Sequence, residues 1–250
     1  MRALAFASRN SKEILRDKLN FLFGLGFPIV IMLLLSMIQN SIPKEGASFD
    51  LFNIATLSPG IAVFGLSFIS LFSGMLIAKD RSSSLMLRLF TSPMNAFDYI
   101  AGYALPLLPM ALCQSAICFA VALCFGLEPT ANIFLAIAVM IPTAIIFISL
   151  GLICGSLFSE KQVGGICGAL LTNVSAWLSG TWFDLKLVGG IFEDVAYALP
   201  FARAVDAARS AINGNFSDIM GDLWLVIAYA VVLFSVSVAV FTGRIYSKNK

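Results

Sequence analysis

The chain has 250 residues, 59% of them hydrophobic and only 12% charged, with a mean hydropathy of +0.93. A soluble domain is about half apolar and a quarter charged, so this is the composition of an integral membrane protein. The net charge of +2, with no run of basic residues, gives no reason to expect a nucleic-acid partner.

Residues 1–20 are polar and mainly basic, with Arg2, Arg9, Lys12, Arg16 and Lys18 against Glu13 and Asp17. Leu4, Ala7, Ser11, Leu15 and Lys18 share one helical stripe, which suits a cytoplasmic interfacial helix. The polar part is long and no small-residue cleavage site follows the next apolar run, so a cleaved signal peptide is not expected. The first apolar run, 21–39, carries Gly24, Gly26 and Pro28 and is about long enough to cross ~30 Å of hydrocarbon. After a polar connection holding Lys44, Glu45 and Asp50, the second run covers 54–78. Its Phe64, Phe68 and Phe72 fall on one helical stripe, which serves either packing or a hydrophobic substrate path.

Segment 79–98 is short and basic between two apolar runs. Drawn as a helix from Ser82, it sets Leu85, Met86, Leu89 and Phe90 on one side and Arg81, Ser84 and Arg88 on the other, with Leu87 breaking the pattern. Ser82 is then the expected N-cap, and Ser92 is pushed out of helical geometry by Pro93. This is either two or three turns of amphipathic docking helix on a membrane face or a solvated loop with incidental leucines. Ser92-Pro93 also reads as the start of the next helix.

The third run, 99–127, contains Pro106 and Pro109, where a kink is expected, and the short link 126–132 makes a hairpin with the fourth run, 131–158. Ser159-Glu-Lys-Gln162 leads to the fifth run, 163–183. There Thr172, Asn173, Ser175, Trp177 and Ser179 place unusual polarity, and an asparagine in mid-membrane must find a partner on a neighbouring helix or in a hydrated cavity. Gly151 and Gly155, like Gly164 and Gly168, have helix-packing spacing that serves contacts within one bundle or between two chains. Residues 184–222 are mixed apolar and charged. Within them Phe201, Ala204, Val205, Ala208 and Ile212 mark an amphipathic helix started by Pro200 and ended by Asn213-Gly214, with Arg203, Asp206 and Arg209 on its polar face. The sixth run is 223–242.

Six spans put both termini on one side. Twelve of the sixteen Lys and Arg residues fall on that side, leaving Lys44, Lys186, Arg203 and Arg209 opposite, so the positive-inside rule places both ends and segment 79–98 in the cytoplasm. No charged residue lies within the six runs as bounded here, which argues against a proton-driven carrier. No phosphate-binding loop is present, so active transport would need energy from another polypeptide. Histidine is absent, which removes serine–histidine hydrolysis and histidine-ligated metals. The five cysteines (Cys113, Cys118, Cys124, Cys154 and Cys167) all lie in apolar runs, so neither disulfides nor a metal site is expected.

The order of parts resembles the permease subunits of ATP-binding-cassette type-2 exporters. The likeness is carried by Asn10-Ser-Lys-Glu-Ile-Leu-Arg-Asp17 running into Phe23-Gly-Leu-Gly-Phe-Pro28, by Leu87-Arg-Leu-Phe-Thr-Ser-Pro93 continuing to Ala101-Gly102, by Leu178-Ser-Gly-Thr-Trp182, and by Leu199-Pro-Phe201 with Ala207-Ala-Arg209. It covers essentially the whole chain. The resemblance implies an all-α polytopic membrane protein forming a single permease domain over 1–250. Its parts would be an N-terminal interfacial helix (1–20), six transmembrane helices, a cytoplasmic coupling helix (79–98) and external re-entrant helices (184–222). It implies a non-catalytic chain in the bacterial inner membrane, working with a second permease copy or a related chain. A cytoplasmic ATPase subunit would carry the ATP and Mg, and this chain itself would bind no cofactor. The residues it implies are Arg81, Leu85, Arg88, Leu89 and Phe90 for ATPase coupling. For the substrate path it implies Phe64, Phe68, Phe72, Thr172, Asn173 and Leu178, and for the external gate Leu199 and Pro200. The implied cargo is a hydrophobic or amphipathic drug, peptide or lipid-like molecule. A rival of another class is a membrane scaffold or immunity protein that binds a partner and moves nothing.

Overall fold

A computed structural model describes residues 2–41, 53–83 and 94–247, and these are helical with short turns and no strand. Helix α1 spans Arg2–Arg16 and α2 spans Lys18–Ser41. Helix α3, Ile54–Ser82, begins where the Asn53 side chain accepts the Ala55 N–H. Helix α4, Ala96–Cys124, opens on a capping box in which Asn95 and Asp98 satisfy each other's backbone N–H groups. Helix α5, Asn132–Leu157, follows a tight turn. The next column is helical in three pieces: α6 (Glu160–Gly165), a π-helical segment (Ile166–Leu171) and α7 (Thr172–Leu178). Three shorter helices come next, α8 (Leu185–Val188), α9 (Gly190–Ala198) and α10 (Pro200–Asn213), before the long α11 (Phe216–Ser247).

Helix α3 is the central post. It is buried on almost every side by α2, α4, α5 and the α6–α7 column, while α11 packs outside against α5 and α10. The α3–α5 seam is made of small residues. A methyl group on Gly151 would overlap the Ser70 carbonyl and the Ser73 hydroxyl, and one on Gly155 would overlap the Gly74 carbonyl. The Gly151/Gly155 pair therefore serves packing within the bundle, where close backbone approach replaces the hydrophobic drive that lipid does not supply. Ser67, Ser70 and Ser73 each donate to a carbonyl three residues back, and Ser73 also reaches Ile148 O at 3.1 Å. Hydroxyls deep in an apolar bundle are satisfied this way without water.

Among the described residues four helices are long and apolar enough to cross a membrane: α3, α4, α5 and α11 through Arg244. The first expected span is helical throughout as α2, but its apolar part is the shorter stretch Gly26–Ile38. The fifth differs from the continuous run expected over 163–183: a π-helical segment interrupts it and it stops at Leu178. Pro28, Pro106 and Pro109 lie inside continuous helices.

Other boundaries also shift. Ser82 is not an N-cap; it closes α3, its hydroxyl donating to Lys79 O at 2.9 Å. The second span thus runs past Ala78 and carries Asp80 into the protein interior. The third span starts from the Asn95 cap rather than from Ser92-Pro93. In α1 the packed face is Phe6, Ala7 and Asn10, while Leu4 and Leu15, at 64% and 67% exposure, point away from the bundle. Of the stripe read through Leu4, Ala7, Ser11 and Leu15, Ala7 thus turns toward the bundle while the two leucines stay on the outer face. Leu85, Arg88, Leu89, Phe90 and Ser92-Pro93 lie outside the described residues.

Candidate functional site

Helices α2, α3 and α7 enclose a groove of about 520 Å³. One wall is Phe64 and Phe68 of α3, joined edge-on at 5.6 Å, with Phe27 of α2 against both rings at 6.4 and 5.1 Å. The opposite wall is Gly168, Thr172, Asn173, Ala176 and Trp177, and Trp182 closes one end by meeting Phe64 edge-on at 5.5 Å. Trp182 can sit there because the chain turns sharply at Gly180, whose φ of +66° suits a residue without a Cβ. Gly60 has no room for a side chain either, since a Cβ would lie 2.8 Å from Thr181 Cγ2.

Among the described residues no charged side chain lines the groove. Its polarity comes from Asn173, whose amide nitrogen donates to Ala169 O at 2.7 Å, and from Thr172, whose hydroxyl donates to Cys167 O at 2.9 Å. That second bond reaches back five residues, the spacing of the π-helical turn beneath it. The π turn is what rotates Thr172 and Asn173 onto the groove wall, and such turns recur at functional positions.

Of the residues the sequence pointed to, Phe64, Phe68, Thr172 and Asn173 are brought together. Phe72 is not among them: it is buried one level lower, against Gly24. Leu178 packs into the core beside the groove. Phe27, Trp177 and Trp182 are not among the residues expected on the path, although Trp177 lies in the polar run of the fifth span and Phe27 and Trp182 in the motifs that carry the resemblance.

The Ile54 end of the bundle is closed by α10. Arg209 donates to Thr56 O at 3.1 Å, to Gly180 O at 2.8 Å and to Asp206 at 3.3 Å, tying the first turn of α3 to the groove's end turn. Burial lowers the Arg209 pKa, and Asp206 opposes it. Tyr197 donates to Asp206 at 3.0 Å; burial first, and then that carboxylate, push its phenol up to about 12. Arg203 bonds Asp222 at 2.8 Å and lies over the Tyr197 ring. The polar face of α10 is thus an inward-facing clamp. Leu199 is the extended residue before α10 and Pro200 its buried first residue; neither lines the groove.

At the opposite end Arg81 donates to Gly155 O at 2.6 Å and Phe158 O at 3.2 Å, and Arg244 donates to Leu157 O at 3.2 Å. Both cations satisfy carbonyls at the C-terminal end of α5, where the helix dipole favours positive charge.

The model for the ABC-2 type transporter family matches residues 2–213, from the start of α1 to the end of α10. The chain belongs to that family. No curated protein matches it. As an ABC-2 protein it is a multi-pass transmembrane component of an ATP-binding-cassette transporter, and membership implies a partner subunit that binds ATP. The groove between α3 and α7 is then a concave apolar site inside a transport protein, the setting in which small-molecule sites are usually built.

Proposed function

We propose that this chain is the permease half of an exporter that moves a hydrophobic or amphipathic molecule out of the cytoplasm. A separate cytoplasmic ATPase supplies the energy and holds the ATP and Mg. The observation that carries this reading is the groove, with five aromatic residues, the amide of Asn173 and, among the described residues, no charge. Such a lining takes apolar and flat molecules by burial and edge-on ring contact, and it gives no grip to a small ion. Phe27, Phe64, Phe68 and Trp182 meet one another edge-on or tilted and still leave about 520 Å³ open beside them.

In this reading both termini and segment 79–98 are cytoplasmic in a bacterial inner membrane, with six spans, α2 and the α6–α7 column being the first and fifth. Segment 79–98 couples the ATPase to the bundle, with Arg81 as its anchor on α5 and Leu85, Arg88, Leu89 and Phe90 as its contact residues. Two permease chains face each other across their grooves. Helices α8 to α10, with Leu199 and Pro200 at the bend into α10, close the external end. Nucleotide binding shifts the population between inward- and outward-open forms.

The test is a pull-down of the tagged chain from mild detergent, with an ATPase assay on what accompanies it. Co-purification of a subunit with vanadate-sensitive hydrolysis, stimulated by a planar apolar dye and less so after Trp182→Ala, is expected. A chain that emerges alone, with no hydrolysis even after crosslinking in the membrane, overturns the exporter and leaves a scaffold.

A further inference from the structure

Helix α1 is fastened to the bundle by a buried ionic cluster at the end of α3. The Asp80 carboxylate is only 5% exposed and accepts three hydrogen bonds. Arg9 of α1 donates through both terminal nitrogens, at 2.5 and 3.0 Å, in a fork-to-fork pair. Tyr103 of α4 donates its hydroxyl at 2.9 Å. The neighbouring Asn10 donates to Gly102 O at 3.0 Å, and Phe6 meets the rings of Tyr99 and Tyr103 edge-on. Gly102 has no space for a Cβ, which would lie 3.2 Å from Ala3 O, so α1 sits directly on the α4 backbone.

Asp80 lies on α3 four residues before segment 84–93, and that segment leads directly into α4. The cluster therefore joins both helices that flank it, and adds α1, which continues through Asp17 into α2. A carboxylate this deep is expensive to leave unpaired, so the three helices cannot separate cheaply. Burial works to lower the Arg9 pKa, but Asp80 outweighs it and the guanidinium is held charged.

We propose that Asp80 is a positioning residue of the transport cycle, clamping α1, the end of α3 and the start of α4 into one block that moves together when segment 84–93 is displaced. This rests on the coupling reading above. The test is hydrogen exchange on the permease with its co-purified ATPase, with and without ATP plus orthovanadate. In the natural protein the peptides of α1 and of residues 94–105 change exchange together on trapping. In the double variant Arg9→Gln with Asp80→Asn, which leaves no orphaned charge, basal hydrolysis and the response of 94–105 persist while the α1 response is lost. Arg9→Lys, which keeps the charge but not the fork, gives an intermediate α1 response and serves if the double variant does not fold. An α1 response of natural size in either variant overturns the clamp. So does a natural protein in which 94–105 responds and α1 does not, and that result leaves the coupling reading standing. Absence of any co-purifying ATPase overturns the coupling reading first, and the clamp with it.

Discussion

Single residues decide how closely the helices of this protein approach. Gly151 faces backbone of α3 at a distance that admits no methyl group, whereas Gly164 has nothing within 4 Å of where its Cβ would be. Gly151→Ala is expected to destabilise by about 1–3 kcal/mol, the usual cost of overpacking. Gly164→Ala is expected to be neutral or stabilising by roughly 0.4–1 kcal/mol through the unfolded chain. Thermal unfolding of the two variants in one detergent checks the contrast, and equal midpoints would contradict the seam. Glu13 gives a pH prediction. The Lys79 ammonium, donating at 2.9 Å, holds its carboxyl below the ordinary value. A carboxyl with a lowered folded pKa contributes stability above its unfolded pKa and loses it as pH falls through the folded value. The hold of α1 on α3 therefore weakens below about pH 4, the ordinary glutamate range. Proteolysis of α1 should rise there in the natural protein and show a flatter acid limb in Glu13→Gln.

At the scale of elements, the π-helical segment is the feature that shapes the candidate site. One extra residue per turn shifts the register of α7 relative to α6 by about 100°, the angle of one helical residue. Deleting Gly168 should restore α-helical register and turn Thr172 and Asn173 off the groove wall. Insertion and expression are then expected to survive while dye transport is lost; retained transport would mean the groove is not the path. Helix α10 makes the opposite point. Its start at Pro200, its end at Gly214 in the left-handed region and its buried face all follow from sequence pattern. The destination of its charges does not: Arg209 is used at Thr56, 153 positions away, and no local pattern encodes that distance. Arg209→Met keeps the packing stem but releases both carbonyls. It should lower the unfolding midpoint and increase exchange at residues 54–58 and 178–182 together.

For the whole molecule, α11 is the outlier. It covers α5 on one side only and leaves Trp224, Val231 and Val232 more than half exposed. In a membrane such residues face lipid, so their exposure is no sign of a missing partner. The groove is different, because it is lined by aromatic rings and by the polar side chains of Thr172 and Asn173 between α3 and α7. Two chains facing each other there should give, in mild detergent, a protein mass of two 26.9 kDa chains by light scattering. Trp177→Glu, which puts a charge at 59% exposure on that face, should shift the mass to one chain. A monomer before substitution would remove the facing arrangement.

By itself the sequence determined the class of solvent this protein folds in, the rank order of its long helices and the limits of α10. Those properties depend on composition, on apolar length and on capping residues, all of which act over a few turns. The order of motifs also carried the family, since each part keeps its place along the chain. Only tertiary structure decided that Asp80 lies inside the protein, that α1 packs on the bundle through Phe6, Ala7 and Asn10, and that Phe27 and Trp182 join Phe64. The reason is physical. In an apolar chain nearly every helical face is hydrophobic, so periodicity cannot say which face meets protein and which meets lipid. That choice falls to contacts between residues far apart in sequence, where small residues permit approach and buried polar groups must find each other.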